Sequence, residues 1–260
     1  MRRVGRRGLG SGNNVAFRGT QNQDFVNTLR AVNIITNNIT FANSNSAVSI
    51  NVGYSVTSNV NQGTFAVAVG SNAGKTNQGS FAVAIGTNAG GCNQGQQSIA
   101  IGSNAGAYTQ NVNSVAIGSG AGTTKQDSNS VAIGLNAGSF NQSTACVAIG
   151  ANSGSVDQQN SAISVGTFAG NLQQQSNSVA IGYSSGYLNQ DINSVAIGSF
   201  AGQLNQSSES VAIGYQASFN NQASGSVSIA IQQVLIIKKN KRLQLVLKQV
   251  IKIKKKLLLQ

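Results

Sequence analysis

Ser130-Val131-Ala132-Ile133-Gly134-Leu135-Asn136-Ala137-Gly138 decides the fold, because the same phrase returns every sixteen residues. Its glycine falls at Gly70, Gly86, Gly102, Gly118, Gly134, Gly150, Gly166, Gly182, Gly198 and Gly214. A glutamine keeps the same interval at Gln62, Gln78, Gln94, Gln110, Gln126, Gln142, Gln158, Gln174, Gln190, Gln206 and Gln222. Self-similarity at a fixed period marks a stacked repeat protein and takes precedence over any local motif. Within Val-Ala-Ile, large apolar residues alternate with a small one, which is the two-residue period of a strand. Sixteen residues are too few for a helical repeat, which runs to about thirty or more. The glycine after Ile ends the strand where a positive φ or a close backbone approach is needed. The Ala-Gly that follows is a second corner or short strand, and the Asn-Gln run is polar turn chemistry. Each unit reads as one coil of an all-β, parallel β-solenoid, with Val and Ile pointing inward.

The strict region, residues 62–231, holds eleven Val-x-Ile pairs, from Val67 to Ile229. Stacked at about 4.8 Å per coil they make a rod segment roughly 50 Å long. The glutamine column has two readings, a ladder of amides bonded coil to coil or a polar surface turn. Upstream, Val15-Ala16-Phe17, Val32-Asn33-Ile34, Ile50-Asn51-Val52 and Val67-Ala68-Val69 are spaced 17, 18 and 17 residues. Residues 13–61 are therefore expected to be degenerate coils that cap the open strand edge. Residues 1–12 are basic and Gly-rich, an expected flexible arm.

The composition suits stacking: Gly is 31, charged residues are 8%, and Pro, Trp and His are absent. Proline is missing where nearly every backbone N–H joins a ladder. A chain this rich in Ser, Asn, Gln and Gly invites comparison with disordered segments, but disorder places no demand on spacing. The net charge of +12 lies outside the repeats. Residues 1–46 carry +5, residues 47–232 carry −2 and residues 233–260 carry +9. The coils thus lack the cationic stripe that nucleic-acid binding would need. Cys92 and Cys146 stand more than three coils apart, roughly 15 Å along the axis, beyond the ~7 Å that a disulfide spans. They are expected to be free thiols, with Cys146 replacing the usual Ser.

One Val and one Ile per coil return too little to offset the ordering of sixteen backbones. The middle alanines (Ala68, Ala84, Ala100, Ala116, Ala132, Ala148, Ala180, Ala196, Ala212) are expected to face opposite to Val and Ile. They would form a small apolar stripe along which another copy packs. The expectation is a parallel homo-oligomer, most simply a trimer.

Ser-Val-Ala-Ile-Gly-x-x-Ala at this regular spacing resembles the YadA-like head repeat of trimeric autotransporter adhesins, over residues 62–229. The resemblance implies a left-handed parallel β-roll, three chains wound side by side, and binding to host matrix or cells. The family unit is slightly shorter, and the Ala-Gly-x-x-Asn-Gln portion is a variant of it. No neck, stalk or membrane-anchor barrel is recognised here. Similar repeats occur in fibre-like proteins of large DNA viruses and phages.

Residues 232–260 break the pattern. Leu243, Val246, Val250, Ile253 and Leu257 have heptad-like spacing, so a basic amphipathic helix is one reading. Such a helix would trimerise or lie on an anionic membrane. Leu243, Leu245 and Leu247 alternate like a strand, a second reading. A reading-frame slip, giving a non-native tail, is the third. Neither a secretory signal nor a run of about 20 apolar residues long enough to span a membrane is visible.

Catalysis needs convergent titratable groups, and this chain has no His and five carboxylates. Asp127 and Asp191 share a place in the repeat but stand four coils apart. Gly118, Gly120 and Gly122 mimic a phosphate loop, but are the ordinary repeat with one extra Gly. Gly70-x-x-x-Gly74 copies a helix-dimer motif outside any apolar helix. Asn38, Asn141 and Asn205 begin glycosylation triplets that this composition produces by chance. An ice-binding ladder of Thr is not present. The expectation is a non-enzymatic structural or adhesive surface protein, without cofactor or metal, working at the cell surface or in a virion. The alternative is a virion fibre or capsid-associated component. No residue is assigned a receptor-binding role.

Overall fold

Sixteen-residue register is what the backbone displays. The computed structural model describes residues 50–53 and 62–230. The expected arm at 1–12, the weak coils at 15–17 and 32–34, Asn38 and the tail from 232 lie outside the described residues. Strand β1 (Ile50–Val52) pairs with β2 (Val67–Val69), and from β2 through β3 (Thr76–Gln78) and β4 (Val83–Ile85) the strands alternate between two sheets, ending at β21 (Asn220–Gln222) and β22 (Val227–Ile229). The first sheet has 12 strands and the second 10, each adding strands in chain order. Every pairing is parallel, and in the first sheet like stands mostly on like: Val115 on Val131, Ala116 on Ala132 and Ile117 on Ile133. The Ile50–Val52 coil joins with a seventeen-residue offset, Ile50 on Val67. The parallel β-solenoid of about eleven regular coils is thus present as read.

The inside and outside of the first sheet are the reverse of the sequence expectation. Ala68, Ala84, Ala100, Ala116, Ala132 and Ala148 are fully buried, and with Ala73, Ala89, Ala105, Ala121 and Ala137 they form the core. Val and Ile of the same strands point outward and are half-buried or exposed. The reason is width. A Cβ placed on Gly106 would stand 2.7 Å from Gln110 Oε1 and 3.4 Å from Ala100 Cβ, so the two sheets nearly touch. Branched side chains do not fit there. Strand period fixes which residues share a face, but size decides which face is enclosed.

The largest enclosed side chains are the glutamines, from Gln78 to Gln206. Each reaches across the interior from the second sheet. Gln158 Nε2 donates to Val147 O at 2.9 Å, to Ala162 O at 3.0 Å and to Gln174 Oε1 at 3.1 Å. The same amide-to-amide bond links Gln94 to Gln110, Gln110 to Gln126, Gln142 to Gln158, Gln174 to Gln190 and Gln190 to Gln206. Of the two readings of the column, the ladder is correct, and it is internal. Among the described residues, Gln94, Gln142 and Gln222 have an Oε1 that accepts no bond, each at a step where the chain of amides is interrupted.

Two positions show why the spacing is rigid. Gly134 has φ 128°, and a Cβ there would lie 2.7 Å from Gly150 O. The asparagine before each glutamine is in a strand, not in a turn. Asn77, Asn93, Asn141, Asn189, Asn205 and Asn221 all have positive φ, the left-handed region that Asn tolerates better than most residues. Where Thr109 and Lys125 stand instead, the strands shorten to two residues.

Cys146 occupies the buried serine position. Ser130 Oγ donates to Ser143 O at 2.6 Å, and Cys146 Sγ likewise meets Gln159 O at 2.8 Å. Burial pushes its thiol from 9.0 up to about 11. Both cysteines are free, with Cys92 half-buried.

Replacing Gln158 by Ala should remove its bonds to Val147 O, Ala162 O and Gln174 Oε1 and leave its place in the interior empty, at a cost on the order of 3 kcal/mol, read as a lower denaturant midpoint by circular dichroism. Gly134→Ala should destabilise at least as strongly, through about 1–3 kcal/mol of backbone strain plus the collision. At neutral pH iodoacetamide should modify Cys92 readily and Cys146 only upon unfolding. A raised folded pKa keeps its stabilising contribution below 9.0 and loses it as pH rises through about 11. Cys146→Ser should therefore flatten alkaline destabilisation in that window.

Candidate binding surfaces

Since the interior takes only small residues and Gln, the larger apolar side chains stand on the surface. On the first sheet they form two straight columns, Val (or Ile) and Ile (or Val), one pair per coil. Ile85, Ile149, Ile181 and Ile213 are each 38% exposed, even though coils stack on both sides of them. A contiguous apolar strip of this kind marks an interaction face. The expected alanine stripe is therefore replaced, on the same sheet, by a Val/Ile stripe.

A second feature is a ridge of rings along the corner that follows the first sheet. Phe168 meets Tyr183 and Tyr187 edge-on, each with centroids 6.3 Å apart. Tyr183 meets Phe200 at 5.2 Å, and Phe200 meets Tyr215 at 6.2 Å and Phe219 at 6.3 Å. Phe168 and Phe200 both have φ 58°, a strained state for a bulky residue, in the place that Asn holds at 72, 88, 104, 136 and 152. Sequence reasoning missed this ridge. The available signal was that the Asn position changes to Phe168 and Phe200 while tyrosines appear beside it.

The polar surface is laddered as well. Asn72 donates to Asn88 and Asn88 to Asn104, both at 3.1 Å. Asn141 donates to Asp157 at 2.9 Å and Asn205 to Asn221 at 2.9 Å, so two of the glycosylation-triplet asparagines are rungs. A polar hollow of about 270 Å³ is lined by Gln173, Gln175, Asn189, Asp191, Asn205, Gln206 and Ser207. A larger cleft, about 500 Å³, has Tyr108 and Phe140 on its walls with Asn104, Asn136 and Asn152.

The titratable groups are dispersed. Asp127 lies 3.4 Å from Lys125 and accepts from Asn111, whereas Asp191 accepts from Ser208. Among the described residues, no group of three or more His, Cys, Asp or Glu stands together as metal ligands. Gly118, Gly120 and Gly122 all have positive φ and follow the repeat, with Gly120 in the Asn position. Among the described residues no helix is long and apolar enough to cross a membrane.

No curated protein and no solved structure matches the chain. The YadA head domain repeat matches in two copies, residues 94–121 and 110–137. The copies are displaced by one coil, and they span Tyr108, Gly120 and most of the wall of the larger cleft. Residues 94–137 thus carry YadA head domain repeats, within a solenoid that continues the same register on both sides.

Proposed function

We propose that this chain is a non-enzymatic adhesive surface protein, a rigid rod that mediates attachment by displaying its sides. The YadA head repeat and the solenoid support an adhesin-like structural role. The observation that carries the reading is the Val/Ile strip. An apolar face of constant width, repeated in every regular coil, has little use on a single rod. Packed against the same face of other copies it becomes the wider apolar core that each coil lacks. Parallel alignment keeps every coil at equal height, so Val and Ile meet the same neighbours along the axis. The YadA head family is built from three chains, and three strips facing a common axis would close the assembly without a free apolar face. Its site of action is the cell surface or extracellular space.

Light scattering on the full chain should give three times the 26.6 kDa protomer mass. Ile133→Lys combined with Ile149→Lys should return the protomer mass while the solenoid's circular dichroism persists, because both side chains already point outward. A monodisperse wild-type monomer would sink the assembly. Beads coated with the trimer should be retained on cells or matrix. A trimer that adheres to neither is reassigned as a fibre component of a virion.

A further inference from the structure

Gly120 removes one rung from the column of surface amides that runs from Asn72 to Asn152. Asn72, Asn88 and Asn104 bond in sequence, and the next rung would be residue 120. Asn104 Nδ2 instead finds only Ser103 Oγ, at 3.5 Å. Beyond the gap Asn136 leans into the vacated place, since a Cβ on Gly120 would collide with its Oδ1. Asn136 Nδ2 reaches Asn152 Oδ1 at a long 3.5 Å. Among the described residues no donor reaches Asn136 Oδ1, and no acceptor faces Asn152 Nδ2. The gap therefore leaves a weakly engaged amide donor on one side and an open acceptor on the other.

This gap belongs to the cleft of about 500 Å³ whose walls include Tyr108 and Phe140. These rings are 60% and 50% exposed, among the most exposed large apolar side chains of the rod. They occupy equivalent positions two coils apart, with Thr124 in the coil between, so their separation along the axis is about 9–10 Å. Contact at about 3.5–4.0 Å from each ring leaves room for a single non-aromatic ring between them. No charged side chain lines the cleft, and the nearby Lys125 and Asp127 pair with each other. The size lies within that of ligand sites, where apolar walls combine with a few polar groups that fix orientation.

The geometry points to a binding site for a neutral saccharide, a proposal that rests on the rod working by display of its surface. A sugar presents C–H faces to Tyr108 and Phe140. Each of its hydroxyls both donates and accepts, as Asn104 Nδ2 and Asn136 Oδ1 together require. A charged ligand would find no counter-charge, and a purely apolar one would leave both amides unpaired. The lining includes no residue of the Val-Ala-Ile strands, so self-association through those strands leaves the lining residues themselves unused.

The test is saturation-transfer NMR on the full chain with N-acetylglucosamine trimer, maltotriose and a galactose-terminated tetrasaccharide, beside a Pro-Pro-Gly peptide. At least one saccharide should give transfer. Tyr108→Ala and Phe140→Ala should each weaken it on the order of tenfold. Gly120→Asn should abolish it and leave the thermal midpoint unchanged or higher, because Gly120 has φ 70° and Asn holds the equivalent place in neighbouring coils. Tyr183→Ala, on the separate ridge, should bind as wild type. Absence of transfer from every saccharide, or transfer that survives Gly120→Asn, overturns the site. Peptide binding lost through the same substitutions overturns the saccharide assignment. A trimer that binds no saccharide defeats this inference alone, and a monomer that binds one defeats the assembly alone.

Discussion

A file of amides down the middle of each coil takes the place that aliphatic side chains hold in an ordinary core. Gln158, Gln174 and Gln190 are fully buried, and each ties three things together: the opposite strand, its own turn and the next coil. Gln174 Nε2, for example, serves Ile163 O at 2.9 Å, Ser178 O at 3.3 Å and Gln190 Oε1 at 3.1 Å. Burial of so many polar groups is tolerable only because nearly all are bonded, and removal of one partner exposes the full desolvation penalty of the rest. The repeat length is therefore constrained as much as the residue type. One inserted residue would lift a glutamine out of line with both its carbonyls and its neighbouring amides.

The narrow interior follows from the same arrangement. An amide reaching across can bond to a strand carbonyl at 2.7–2.9 Å only if the sheets are close, and close sheets admit only Gly, Ala, Ser and the occasional Cys146. At Gly138 a Cβ would stand 2.8 Å from Gln142 Oε1, which is why a glycine precedes each glutamine from Gln78 to Gln206 by four residues, Ser218 taking that place before Gln222. The apolar bulk of the chain is thereby displaced to the outside. Little of the stability that other folds gain from a hydrophobic core is available inside a single coil. The fold and the outward apolar strip are thus two consequences of one choice of filling.

How much of this the sequence discloses depends on what kind of constraint is involved. Register was fully legible, since Gly134 and its counterparts never slip and the backbone pairs Ile117 with Ile133. Which face is enclosed was not, because Val131 and Ala132 alternate identically whichever side is inside. A reading from size would have succeeded: eleven consecutive coils offer no large side chain except Gln that could fill an interior alternating with Ala. The left-handed backbone at Asn141 and Asn205 was hidden for another reason. Asn favours turns and left-handed strand kinks alike, and only the strand pairing of Phe140 and Gln142 on either side separates them. The candidate cleft was half visible. Gly120 was recognised as an extra glycine, but a missing rung has meaning only once the neighbouring asparagines are known to be bonded to one another.

A strict repeat also changes where function should be sought. In an irregular domain every position is unique, so a departure from expectation is hard to define. Here each residue has about ten counterparts in the same environment, which serve as internal controls. Leu172, Leu188 and Leu204 stack in one outward column, and the equivalents Tyr108 and Phe140 depart from it toward larger, more exposed rings. Phe168 and Phe200 accept a left-handed backbone that Asn152 adopts with less strain. Gly120 forgoes a hydrogen-bonded rung that Asn88 makes. Phe168 and Phe200 add backbone strain, Gly120 discards a bond, and Tyr108 and Phe140 leave more apolar surface in water. They are also spatially grouped, two rings with the missing rung in the middle of the rod and six rings near its C-terminal end. Grouped departures that weaken the repeat are what surface recognition would impose on a scaffold whose interior has no freedom left.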